Sequence, residues 1–200
     1  MLRNFNFNHP IDASMHYNRA VICLDKAFSF PDGSYLFYAS LELRICIERI
    51  LFEYLVIINV DEQRIDNFFN KYRIKNLSKA ILEAEPEFIK KLEYTNFYLT
   101  TIGAGFPLEI PDNERLNSYY GRLGNYLHNI KDPSKATQNE EWWNSFIQLV
   151  NEVREYLFKF FKFPRAYLNL NEKGIESYIA FRDGTMSLEE IAKNIISEYK

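Results

Sequence analysis

Apolar residues recur along this chain at helical spacing. From Asp12 to about Phe30, Met15, Ala20, Cys23, Leu24, Ala27 and Phe28 follow a period close to 3.6, behind an aspartate suited to capping a helix. "PDG" at 31 to 33 then breaks the pattern. Over 34–58 the periodicity is strongest: one stripe joins Leu36, Ser40, Leu43, Ile47, Ile50, Tyr54 and Ile57, and Phe37, Leu41, Ile45, Phe52 and Leu55 form a second beside it. So broad an apolar arc predicts a central, much-buried helix. Shorter helices are expected over 61–72 and 76–99, with Pro86 at a break or a first turn.

"GAGFPLEIPDN" at 103 to 113 reads as a loop whose Asp112 or Asn113 caps the next helix. "KDPSKATQN" ends that helix. From Glu140 to Phe163, Trp143, Phe146, Ile147, Val150, Val153, Leu157, Phe160 and Phe161 make a long apolar stripe that stops at Pro164. The last 35 residues, with "RDGT" followed by "SLEEIAKNIISEY", read as a small amphipathic extension. The expected fold is all-α: an up-and-down bundle of four to five long helices over residues 1–165, with a C-terminal helical appendage over 166–200.

Composition narrows the setting. A chain of 200 residues suits one main domain, and 16% aromatic content makes disorder over most of its length an unattractive reading. Net charge is −3, so no global field draws the chain to nucleic acid or an acidic membrane, and any phosphate binding must be local. No apolar run approaches the roughly 20 residues of a membrane span. Cys23 and Cys46 sit inside apolar helical patterns as core thiols, which fits a reducing, cytoplasmic setting with no membrane.

The chemistry concentrates in "YYGRLGNYLHN", residues 119 to 129. Arg122 and His128 are separated by about 120° around an ideal helix and some 9 Å along it, and Asn125 lies between them. Tyr126 and Asn129 extend this arc. Gly121 and Gly124 each weaken a helix by roughly 1 kcal/mol relative to alanine, and they lie on the histidine's side, where small residues admit a second helix or a phosphate. An imidazole moves protons near neutral pH and a guanidinium grips phosphate, a pairing that suits RNA cleavage by the adjacent 2′-hydroxyl. The plainer reading gives Arg122 a surface ion pair and makes His128 a terminal histidine favoured by the helix dipole.

A second irregularity lies in "LELRICIERILFEYL", residues 41 to 55. Arg44 and Glu48 interrupt an apolar side of the central helix, and burial would oblige them to find partners. They are either an internal or interface ion pair or a support for the Arg122 and His128 site. Glu42, Arg49 and Glu53 share another face, expected to be solvated. "KYRIKNLSK" at 71 to 79 is a local basic run, read as a solvated face or as a rim for RNA. The tryptophans Trp142 and Trp143 suit core and edge packing better than base stacking. His9, His16 and Cys23 recur every seven residues without completing a ligand set, so neither metal nor cofactor is expected.

An all-α bundle with "LELRICIERILFEYL" on an early helix and "RLGNYLH" on a late one resembles the HEPN superfamily, the helical nucleotide-binding and RNA-cleaving domains of prokaryotic defence and toxin systems. The resemblance covers residues 10–163. It rests on an Arg, four to six residues and a His, which Arg122 and His128 satisfy. It implies a homodimer, or a dimer with another such domain, with a composite Arg and His site, and metal-independent endoribonuclease activity in active members; an antitoxin or defence-system protein is the partner expected of a non-catalytic member. Leu123 stands where active members commonly carry Asn, Asp or His. That departure keeps open the alternative of a non-catalytic module for dimerisation or partner binding. On the catalytic reading, Arg122 and His128 act on RNA, with Asn125, Glu48, Arg44, Tyr126 and Asn129 supporting them.

Overall fold

The computed structural model describes residues 12–30, 32–58, 74–104, 108–129, 139–162 and 172–198. Every regular element among them is a helix: α1 (Ala13–Ser29), α2 (Ser34–Ile58), α3 (Ile74–Ala84), α4 (Phe88–Thr101), α5 (Asn113–Asn129), α6 (Glu140–Lys162), α7 (Glu172–Asp183) and α8 (Leu188–Glu198). The chain is therefore all-α over this range. None of these helices is long and apolar enough to cross a membrane. The expected helix over 61–72 lies outside the described residues, as do His9, Lys71 and Arg73.

Local chemistry sets the helix ends. The Asp12 carboxylate accepts from the Met15 amide at 2.8 Å, and the Asp112 carboxylate from the Arg115 amide at 2.9 Å, so α1 and α5 begin at side-chain caps. Pro86 stands at the expected break, between α3 and α4. Gly103 closes α4 with φ of 73°, and the Ala104 amide donates to the Leu99 carbonyl at 2.9 Å. Only glycine adopts that left-handed turn without strain.

The main core gathers around α2. Leu36, Leu43, Ile47, Ile50 and Tyr54 of the first expected stripe are buried, although Ile57 is 40% exposed. The second stripe differs from expectation. The inward arc of α2 widens over Ala39, Cys46 and Leu51 instead, while Leu41 is 43% exposed and Ile45 and Phe52 are half-buried.

The reason is the seat of α1. It packs on the Glu42, Cys46 and Glu53 flank, where His16 Nδ1 lies 2.6 Å from the Glu42 carboxylate, Cys46 Sγ donates to the Ala13 carbonyl and Glu53 accepts from the Ala13 amide. Glu42 and Glu53 thus face α1 rather than solvent. In α1 itself His16 and Tyr17 are buried, whereas Met15 and Phe28 point outward.

The α6 stripe holds from Phe146 to Phe160. At its start Trp142 and Trp143 join Phe37, Tyr126 and Phe146 in an aromatic cluster. A Cβ at Gly33 would lie 2.4 Å from a Trp143 ring atom. Gly33→Ala therefore displaces that ring, and the apolar cleft of about 370 Å³ between Phe28, Leu36 and Ile147 limits the damage by giving it somewhere to go. Thermal unfolding is expected to register a loss of about 1–2 kcal/mol.

A second, smaller core lies on the far side of α4. Phe88 and Leu92 of α4 enter the main core, whereas Tyr94 joins Tyr178, Ala180, Ile191 and Ile195 of α7 and α8. Glu87, at the start of α4, accepts from the Tyr178 hydroxyl at 3.1 Å and pairs with Arg182 at 2.9 Å. The Tyr178 hydroxyl is held well above its ordinary pKa by burial first and by the Glu87 carboxylate second.

Candidate functional site

Helix α5 lies between α2 and α6 and uses three faces. Leu116, Tyr119 and Leu123 enter the core, with Leu116 and Leu123 completely buried. Tyr126 stacks on Phe146 at 4.4 Å with an interplanar angle of 5°, so its ring packs against α6 and does not extend a polar arc. Glu114, Ser118, Gly121, Asn125 and His128 are exposed, and their steps of four, three, four and three residues place them in one outward row. Asn129 ends the helix.

Arg122 sits at one edge of this row and leans towards α6. Both terminal nitrogens of its guanidinium lie 3.5 Å from the same Glu152 oxygen, a long and half-exposed ion pair. Glu152 also accepts from the Tyr119 hydroxyl at 2.8 Å, and Tyr119 in turn accepts from Arg115 Nε at 2.8 Å. Burial is the main cause that raises the Tyr119 hydroxyl's pKa. The surface ion pair of the plainer reading is present. At 3.5 Å and half-exposed, such a pair is worth only about 0–1 kcal/mol.

His128 and Asn125 form no hydrogen bond or ion pair among the described residues. Within one chain Arg122 and His128 therefore stay on opposite edges of the exposed face. His128 lies in the last turn of α5.

At the other edge, α2 supplies a second arginine. The Arg44 guanidinium lies over the Tyr120 ring, 4.0 Å from its centroid, and a Cβ placed on Gly124 would come within 3.4 Å of it. The Tyr120 hydroxyl has its pKa raised by burial first, then by the Glu48 carboxylate, with Arg44 opposing. Tyr120 is thus the shared partner of the two α2 charges that interrupt the apolar pattern. A tyrosine at a core-like spacing gave no sequence signal for that role, nor did Glu152 for its pairing with Arg122. Arg44 Nε itself is buried without a hydrogen-bond partner, as are Asn113 Oδ1 and Asn117 Oδ1 further along α5.

The two glycines differ in their surroundings. Gly124 faces the Arg44 guanidinium, which an added Cβ would meet in ordinary van der Waals contact at 3.4 Å. Gly124 lies one turn before His128, so Arg44 packs on the side of α5 that carries the histidine. Gly121 faces outward, and a Cβ added there would meet no heavy atom within 4 Å. Gly121→Ala is expected to raise stability by about 1 kcal/mol, since it removes backbone freedom from the unfolded chain at no steric cost; a thermal melt shifted upward by about 2–4 °C is the result to look for.

Among the described residues no group of three His, Cys, Asp or Glu is placed to hold a metal ion. Against protein-family models, curated proteins and solved structures, the chain finds no match.

Proposed function

We propose that the chain is a HEPN-like, metal-independent endoribonuclease of the cytoplasm, a toxin or antiviral defence component built as an up-and-down bundle and acting as a homodimer with a composite Arg and His site. The observation that carries this reading is the outward face of α5. It presents His128 and Asn125 without partners among the described residues, with Arg122 at one edge and Arg44 at the other.

In the reaction, His128 takes the proton of an RNA 2′-hydroxyl, and the freed oxygen attacks the adjacent phosphorus. The bond from phosphorus to the 5′ oxygen breaks, and that oxygen receives a proton from an imidazolium, supplied in a composite site by the partner's His128. Arg122 exchanges its weak hold on Glu152 for the phosphate, whose charge grows in the transition state. Asn125 hydrogen-bonds the bound phosphate or the imidazole.

The test is purified protein incubated with structured and single-stranded RNA in excess EDTA. Fragments with 2′,3′-cyclic phosphate and 5′-hydroxyl ends are expected. RNA that stays intact overturns the catalytic reading and favours the second one, a non-catalytic module that dimerises or binds an antitoxin or defence protein through the same face. The observation favouring that second reading is the pairing of Arg122 with Glu152, which already occupies the guanidinium.

A further inference from the structure

Where the end of α1 turns into the start of α2, a cleft of about 370 Å³ opens against the start of α6, a volume within the range of small-molecule sites. Phe28 of α1, Leu36 of α2 and Trp143 and Ile147 of α6 give it apolar walls, and the connecting turn adds Asp32 and Gly33. Gly33 shapes the wall beside it. Three carbons of the Trp143 ring lie within 3.2 Å of where a Cβ at Gly33 would stand, so the indole rests on bare backbone. Phe28 borders the cleft yet is 61% exposed, apolar surface that a bound molecule would take out of water.

The polar side of the cleft is negative. The Asp32 carboxylate accepts from the Ser34 amide at 2.9 Å, and hydrogen bonds from that amide first and the Ser34 hydroxyl second hold its carboxyl below the ordinary carboxylate range, so it is charged at neutral pH. No cation among the described residues pairs with it: Lys26, in the last turn of α1, lies instead over the Tyr35 ring, 5.6 Å from its centroid. The last turn of α1 adds the partial negative charge of a helix C-terminus. The two helix N-termini at the cleft are already capped. Asp32 serves α2, and at the start of α6 the Asn139 side chain accepts from the Glu141 amide at 2.9 Å, with Glu140 and Glu141 adding further negative charge. An anion therefore finds no free donors here, whereas a cation finds an unpaired carboxylate.

We infer that this cleft binds a small amphipathic cation, a primary ammonium carried on an aromatic or branched apolar body. The body lies between Phe28, Leu36, Ile147 and the Trp143 ring, and the ammonium meets the Asp32 carboxylate. Apolar walls supply most of the affinity and the one charged group fixes the orientation, the division of labour usual in small-molecule sites. An uncharged molecule of the same shape buries the same walls and forgoes the carboxylate, and an anion is repelled by it. The inference stands on the turn between α1 and α2 and on the start of α6, and it does not depend on the ribonuclease reading.

The full chain carries its own probe. It has two tryptophans, so its proton-nitrogen correlation spectrum holds two indole signals, and Trp142→Phe assigns the one from Trp143. Titration with phenethylamine is expected to move the Trp143 signal saturably; phenethyl alcohol, its uncharged counterpart, should bind about fivefold more weakly, the worth of one exposed ion pair, and the anion phenylacetate more weakly still. Asp32→Asn keeps a good capping residue and with it the fold, and there the amine and the alcohol should bind alike. Phe28→Ala, at an exposed position, should weaken both. No saturable shift with the amine, equal affinity for amine and alcohol in the wild type, a preference that survives Asp32→Asn, or affinities untouched by Phe28→Ala overturns the proposal. Intact RNA beside selective binding of the amine would count against the activity and leave this site standing.

Discussion

His128→Ala is expected to slow RNA cleavage by about 10²–10⁴-fold, the range in which a positioned general base contributes. The imidazole is exposed at the last turn of α5 and makes no hydrogen bond or ion pair among the described residues, so its removal is expected to leave the fold unchanged. A circular dichroism melt that superimposes on the wild type, with cleavage lost, is the expected pair of observations. Arg122→Ala should behave differently in one respect. It removes a partner of Glu152 as well as a phosphate ligand, but the ion pair is long and half-exposed, so the effect on stability stays small while cleavage falls. Equal cleavage by wild type and His128→Ala would sink the catalytic assignment even if RNA were cut.

The largest effect on stability is expected at Leu123→Asn, the change that places a polar residue after the arginine as in active members of the family the sequence resembles. Leu123 has no exposed surface and lies in the main core with Leu116 and Tyr119. An amide there exchanges buried apolar area for polar groups without designed partners, which costs about 3 kcal/mol. For a chain of this size the melting temperature should fall by about 6–12 °C. Urea titration would check the same number through a lower midpoint at unchanged slope. A variant that instead keeps its stability and cuts RNA faster would show that position 123 turns towards the site in the working state.

The same residue illustrates what could be read from the sequence. In the bare sequence Leu123 was a departure from a motif; in three dimensions its position on the inward face of α5 makes it a packing residue first. The helices themselves were legible because apolar period and capping residues are local signals: Asp12 caps α1 as expected, and of Asp112 and Asn113 it is Asp112 that caps α5. The outer and inner sides of α2 were harder to tell apart, because both are apolar and the choice depends on where α1 docks. That docking is fixed by His16 with Glu42 and by the Ala13 backbone with Cys46 and Glu53, contacts between residues 26 to 40 positions apart. Periodicity carries no information at that range. Arg122 and His128 were found as an arc, but the leaning of Arg122 to Glu152 and the burial of Arg44 against Tyr120 and Gly124 depend on neighbours that only the fold supplies.

Helix α4 belongs to two cores at once, and this divides the molecule's cooperativity. Phe88 and Leu92 tie it to the helices around α2, whereas Tyr94 ties it to α7 and α8. The smaller core buries far fewer side chains, so α7 and α8 can open locally at a free energy below that of global unfolding. Amide protons there would exchange sooner than those of α2, while α5 and its exposed histidine keep their place.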